Sequence, residues 1–161
     1  MSQARLDGEA RWAKQEKQRS RNLRQLLLRA SRAVNRQVVA GLHARGYAAL
    51  RATHTTLLSN IDLAGSRITA AAERAGISKQ AMGRLAGELE AAGYVRVLED
   101  PVDARAKVLQ LTQNGEQLML DSLAVMAELE DGYAVAMGSA RFAELRRGLE
   151  SLVTACEQSP G

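Results

Sequence analysis

The sequence predicts a mainly α-helical (α+β) chain with one β-hairpin, and three observations predict it. Apolar residues recur at spacings of three and four through both ends of the chain. In the middle, two glycine-punctuated helical stretches meet at Gly76-Ile77-Ser78. Two β-prone runs then follow, residues 94–98 and 107–111, around a polar loop that contains Pro101. Composition agrees with packing through small and aliphatic side chains, since 46% of residues are hydrophobic but only 3% aromatic.

Residues 20–44 form the first predicted helix. Leu23, Leu26, Leu27, Ala30, Val34, Val38 and Leu42 mark its apolar stripe, basic residues fill the opposite face, and Gly46 ends it. A second helix is expected over residues 48–59, with Leu50, Leu57 and Leu58 inward, followed by a loop over residues 60–66. Residues 69–75 make a short helix that stops at Gly76. Ser78 has the hydroxyl of an N-cap, so the next helix is placed over residues 79–92, with Met82, Leu85 and Leu89 buried and Gly93 as its stop. After the hairpin, helices are expected over residues 113–135 and 140–156, broken near Gly138. Helix, short turn, helix and hairpin in that order make a winged helix-turn-helix.

Charge is unevenly spread. Residues 1–36 hold ten Lys and Arg against three acids, residues 37–111 nine against seven, and residues 112–161 three against eight. A basic head and an acidic tail can pair within a chain or across a dimer, and the head can also lie near phosphate. No apolar run is long enough to span a membrane, for which about 18 residues are needed. The N-terminal residues lack a secretory pattern, so a cytoplasmic protein without a membrane partner is expected. Cys156 is the lone cysteine, which leaves no internal disulfide framework or cysteine metal cage.

Catalytic signatures are missing. His43 and His54 fall on different predicted helices, and the sequence has no HExxH, no GxSxG and no glycine-rich phosphate loop. No enzyme and no cofactor are expected. The helix over residues 79–92 has a different chemistry. With its stripe inward, Lys79, Gln80, Gly83, Arg84 and Gly87 face outward, and Gln, Arg and Lys are the residues that pair with base edges. Glycine weakens a helix interior but lets a partner backbone approach, which gives Gly83 and Gly87 a use on a contact face. At the hairpin tip, Arg105 is placed to enter a minor groove. Asp103 can orient it, or can brace the hairpin against another base such as Arg96.

Together these residues resemble the MarR family of transcriptional regulators, over about residues 47–120. The most specific stretch is GISKQAMGRLAGELEAAGYVRVLEDPVDARAKVLQLTQNGE, residues 76–116. It holds the turn and recognition helix, the entry to the wing, the D-x-R motif at Asp103 and Arg105, and the closing L-T-x-x-G at Leu111, Thr112 and Gly115. The resemblance implies a homodimer on a palindromic double-stranded DNA operator, in which the chain acts as a ligand-responsive repressor. Residues 1–45 and 113–161 would form a helical dimerisation lobe around a reading lobe at residues 46–112. It places Ser78, Lys79, Gln80, Gly83 and Arg84 at the major groove, Arg105 at the wing tip with Asp103 holding it, and Lys107 on the wing's basic flank.

Two departures stand out. Gly83 occupies a position that is often Ser or Thr in the family, and the first 19 residues form a longer basic extension than many members have. Cys156 lies at the opposite end from the cysteine of the family's oxidant sensors. Members that respond to a small aromatic acid bind it between lobes, which here nominates His43, Tyr47, Arg51, His54 and Thr55, with Arg51 and His54 facing the carboxylate. The alternative from another class is a helical protein-interaction module that uses the charged ends and binds no DNA.

Overall fold

The computed structural model describes Trp12, Gln15 and residues 21–158 apart from Ala104; most of the basic N-terminal extension lies outside the described residues. The chain separates into two compact units, Met1–Gln37 and Val38–Gly161. Helix α1 is Leu23–Ala44. In the first unit, Leu23, Leu26 and Leu27 remain exposed although they continue the apolar stripe. In the second, Val38, Val39 and Leu42 are buried.

The second unit continues with α2 (Thr55–Leu58), β1 (Ser66–Arg67), α3 (Ile68–Ala75), α4 (Lys79–Ala91), β2 (Val95–Glu99), β3 (Lys107–Leu111), α5 (Gln113–Met137) and α6 (Ser139–Gln158). The three strands form an antiparallel sheet in the order β1-β3-β2. Its core is aliphatic: Leu57, Met82, Leu89, Leu109 and Leu118 are fully buried. The stripe expected on the middle helix is therefore the one that packs.

Helix ends follow local chemistry. Gly76 closes α3 in a left-handed conformation (φ 63°), with its N–H on Glu73 and the Ile77 N–H on Ala72. That paired arrangement satisfies the last free carbonyls of the helix. Ser78 caps α4, its hydroxyl accepting from the Ala81 N–H at 3.1 Å. Gly93 and Tyr94 close α4 in the same way, through Glu90 and Leu89. The break expected near Gly138 is present, at φ 87°.

Two expectations are corrected. The helix expected over residues 48–59 is only the four residues Thr55–Leu58. Before it, the His54 ring takes the Arg51 N–H (3.2 Å) and the His54 N–H bonds the Arg51 carbonyl, so a side chain closes a turn where a helix would run. The loop expected over residues 60–66 ends in a strand, since Ser66 and Arg67 pair with Leu109 and Val108. Gly65 precedes that strand at φ 96°, and an added Cβ would lie 2.9 Å from the Leu109 carbonyl oxygen.

Candidate nucleic-acid interface

Four cationic side chains are gathered by three elements. Arg67 enters from β1, Lys79 from the start of α4, and Arg105 and Lys107 from the hairpin; with Ile68, Thr69, Asp103 and Ala106 they line a groove of about 210 Å³. The first turn of α3 opens here. Its cap residue Arg67 is extended and gives it no side-chain hydrogen bond, so the partial positive charge of the helix start adds to that of the side chains.

The wing is organised by a residue the sequence did not announce. Asp100 is 7% exposed and uses both carboxylate oxygens. Oδ2 accepts from Arg67 Nε at 2.6 Å, and Oδ1 accepts the Val102 and Asp103 N–H groups at 2.8 and 3.1 Å. These bonds hold the Asp100 carboxyl below its usual range, the Arg67 hydrogen bond foremost. Asp100 thus turns the chain after Glu99 and presents Arg67 to the groove. An acid ahead of proline is a turn signal, and it was the available clue. Asp103 does not clamp the Arg105 guanidinium in this structure; its Oδ1 accepts the Arg105 main-chain N–H at 3.1 Å. Lys107 pairs with Glu99 directly across the hairpin, at 3.2 Å.

On α4, Ser78, Lys79, Gln80 and Arg84 are exposed. An added Cβ at Gly83 or Gly87 meets nothing within 4 Å, so no internal packing demands glycine at either position. Gly83→Ala is expected to raise stability by up to about 1 kcal/mol and, if this face meets DNA closely, to weaken DNA binding. Thermal melts and binding titrations on the same preparation measure both signs; a variant that is more stable and binds equally well leaves Gly83 without a contact role.

The residues nominated for an acid ligand are engaged with the protein. His43 Nε2 bonds the Leu50 carbonyl at 2.8 Å, and Thr55 Oγ1 donates to the Ala52 carbonyl at 2.7 Å. Tyr47 donates to Asp121, which pushes its phenol up to about 12, and stacks obliquely on Tyr94 at 6.0 Å. His54 is 2% exposed. It meets Glu88 of α4 at 2.9 Å, and Arg51 approaches the same carboxylate at 3.6 Å. Glu88 is held below the usual carboxylate range, first by the His54 hydrogen bond and then by the nearby guanidinium groups of Arg84 and Arg51. The sequence missed Glu88 because its partner lies 34 positions away.

Among the described residues no cluster of His, Cys, Asp or Glu could hold a metal ion, and no helix is long and apolar enough to cross a membrane.

A capped helix beside a hairpin with a cationic groove defines a winged-helix fold. The model of the MarR family matches residues 50–106. No curated protein sequence matches it. Among solved structures, it is similar to the transcriptional regulator PA4135 (23% identity, TM-score 0.68, covering 86% of this chain and 98% of that one). It is also similar to CouR from Rhodococcus jostii RHA1 bound to p-coumaroyl-CoA (25% identity, TM-score 0.62, 83% and 92% covered). A third likeness is to the transcriptional repressor CouR bound to a 23-mer DNA duplex (21% identity, TM-score 0.63, 83% and 94% covered). The likeness extends over most of the chain and shows a shared fold.

Proposed function

We propose that the chain is a sequence-specific DNA-binding regulator of transcription, a repressor that acts as a homodimer on a palindromic operator. The observation that carries this reading is the groove that brings Arg67, Lys79, Arg105 and Lys107 together beside the start of α4. Phosphates draw such a surface to DNA, and base edges are read by the helix that follows. Lys79, Gln80 and Arg84 supply the base-pairing chemistry, with Ser78 and Gly83 at the backbone. CouR in complex with a DNA duplex supports the reading by likeness of fold.

The dimer rests on unburied apolar surface. Helix α6 has no buried residue, and Leu145, Leu149 and Val153 are exposed on it, as are Leu120, Leu123 and Val135 on α5. A second copy covering these faces assigns residues 1–45 and 113–161 to dimerisation and residues 46–112 to reading. A small aromatic acid effector fits the same scheme only by displacing Glu88 from Arg51 and His54, because that carboxylate already occupies them.

Selection from random duplex DNA tests the whole reading. It is expected to return an inverted repeat whose half-sites lie about one helical turn, roughly 10 base pairs, apart, with affinity falling steeply as salt rises. Light scattering that finds a monomer at tens of micromolar, or DNA capture without any repeat, overturns the dimeric operator reading. Thermal-shift screening of aromatic carboxylates checks the effector; stabilisation that survives Arg51→Ala excludes the proposed seat.

A further inference from the structure

Glu88 sits between a fixed group and a mobile one. On one side is His54, almost fully buried, whose Nδ1 accepts the Arg51 main-chain N–H at 3.2 Å. A ring nitrogen that accepts an N–H carries no proton, so the proton is on Nε2 and is donated to Glu88 Oε2 at 2.9 Å. On the other side is Arg84, 71% exposed, whose Nη1 lies 3.4 Å from Glu88 Oε1. Arg84 stands one turn before Glu88 on the face of α4 that the proposed function turns to DNA.

An exposed Arg–Glu pair one helical turn apart is weak, because two long side chains must both be immobilised to form it. Here one of the two is immobilised already. The buried ring fixes the Glu88 carboxylate through Oε2, so only Arg84 loses freedom when it pairs with Oε1. A guanidinium that recognises a base must present a planar fork in a set direction, and a fixed carboxylate behind it sets that direction.

We infer that Glu88, anchored by His54, is a positioning residue for Arg84, and that the pair sets base preference at the positions Arg84 reads. The inference rests on the DNA-reading function proposed above. Its sign is opposite to that of simple electrostatics. Removing an acid near phosphate strengthens binding to DNA of any sequence, whereas removing an orienting acid flattens the discrimination between sequences.

Selection from random duplex DNA with the full chain separates the two. Glu88→Gln keeps an acceptor for His54 Nε2–H and loses the charge that holds Arg84. Relative to wild type, Arg84→Ala is expected to flatten base preference at a few positions of each half-site, by roughly fivefold or more. Glu88→Gln flattens the same positions, leaves the others intact, and binds random DNA as well as or better than wild type. In an Arg84→Ala background, Glu88→Gln changes no base preference. Should Glu88→Gln fail to fold, His54→Phe with Glu88→Leu removes the buried ring and its carboxylate partner together and is expected to give the same flattening. A wild-type motif retained in full by Glu88→Gln overturns the inference, as does a uniform loss at all positions, which is the mark of a merely structural role. An Arg84→Ala motif identical to wild type overturns it as well. A pool from which wild type recovers no motif overturns the proposed function and this inference with it.

Discussion

Gly115→Ala is expected to cost about 3 kcal/mol or more of folding stability, the upper range for forcing an extra carbon into packed structure. An added Cβ at this position would lie 1.9 Å from the Tyr94 carbonyl oxygen and 3.0 Å from its carbon. Neither atom is free to retreat. The Tyr94 N–H bonds the Leu89 carbonyl at the end of α4, and its carbonyl accepts the Thr112 N–H, both at 3.0 Å. Thr112 completes the clamp, donating its hydroxyl to the Gly93 carbonyl at 2.6 Å and accepting the Gly115 N–H at 3.0 Å. The L-T-x-x-G stretch is thus a joint at which the exit of α4, the end of β3 and the start of α5 share one point. Opening it disturbs all three. Gly132→Ala and Gly148→Ala are the controls, since both positions are open within 4 Å and lie inside helices. They are expected to be neutral or to stabilise by up to about 1 kcal/mol. Denaturant melts of the three variants decide the matter; a Gly115→Ala chain within about 1 kcal/mol of wild type removes the steric account.

The same joint shows what the sequence can and cannot reveal. Gly93 was legible because a helix stop is local chemistry, whereas Thr112 and Gly115 were legible only as the closing L-T-x-x-G of the family resemblance. The stripe Met82, Leu85 and Leu89 was legible for a similar reason, since periodicity states which face is inward, and all three are buried. Contacts across long sequence separation were not. Arg67 and Asp100 are 33 positions apart, and nothing local in either marks the other. Strand β1 has two residues, too few to show alternation, and exists only because β3 pairs with it. The false helix at residues 48–54 has a related cause. Its composition favours helix, but the His54 ring spends its acceptor on the Arg51 N–H and its donor on Glu88 in α4, and that tertiary partner fixes the turn. At the interface, Lys79, Asp103, Arg105 and Lys107 were placed in sequence by motif and lie around one groove, while Arg67 and Asp100, which complete it, needed the fold.

Arg105→Ala is expected to weaken operator binding by roughly 1–3 kcal/mol and to reduce the salt slope by about one contact. Arg105 is exposed, lines the cationic groove, and makes its hydrogen bond to Asp103 through the main chain, so the guanidinium is left available to DNA. The loss should be largest where A·T pairs flank the half-site, because a narrow minor groove concentrates the potential that attracts it. Asp103 gives the sharper test. A bystander acid beside phosphate repels it, so its removal in any form should tighten binding. The structure assigns Asp103 a different task, which is to accept the Arg105 N–H and so fix the path of the wing tip. Asp103→Ala should then weaken binding even though it removes a negative charge, because the tip loses its acceptor. Asp103→Asn keeps an oxygen in the same place without the charge, and should bind as well as wild type or better. Weakening by Ala together with retention by Asn separates main-chain positioning from electrostatics, since charge alone moves both variants in one direction. Tighter binding by Asp103→Ala, with fold and dimer intact, would reduce the acid to a bystander and leave Asp100, through Arg67 and the Val102 and Asp103 N–H groups, as the residue that shapes the wing.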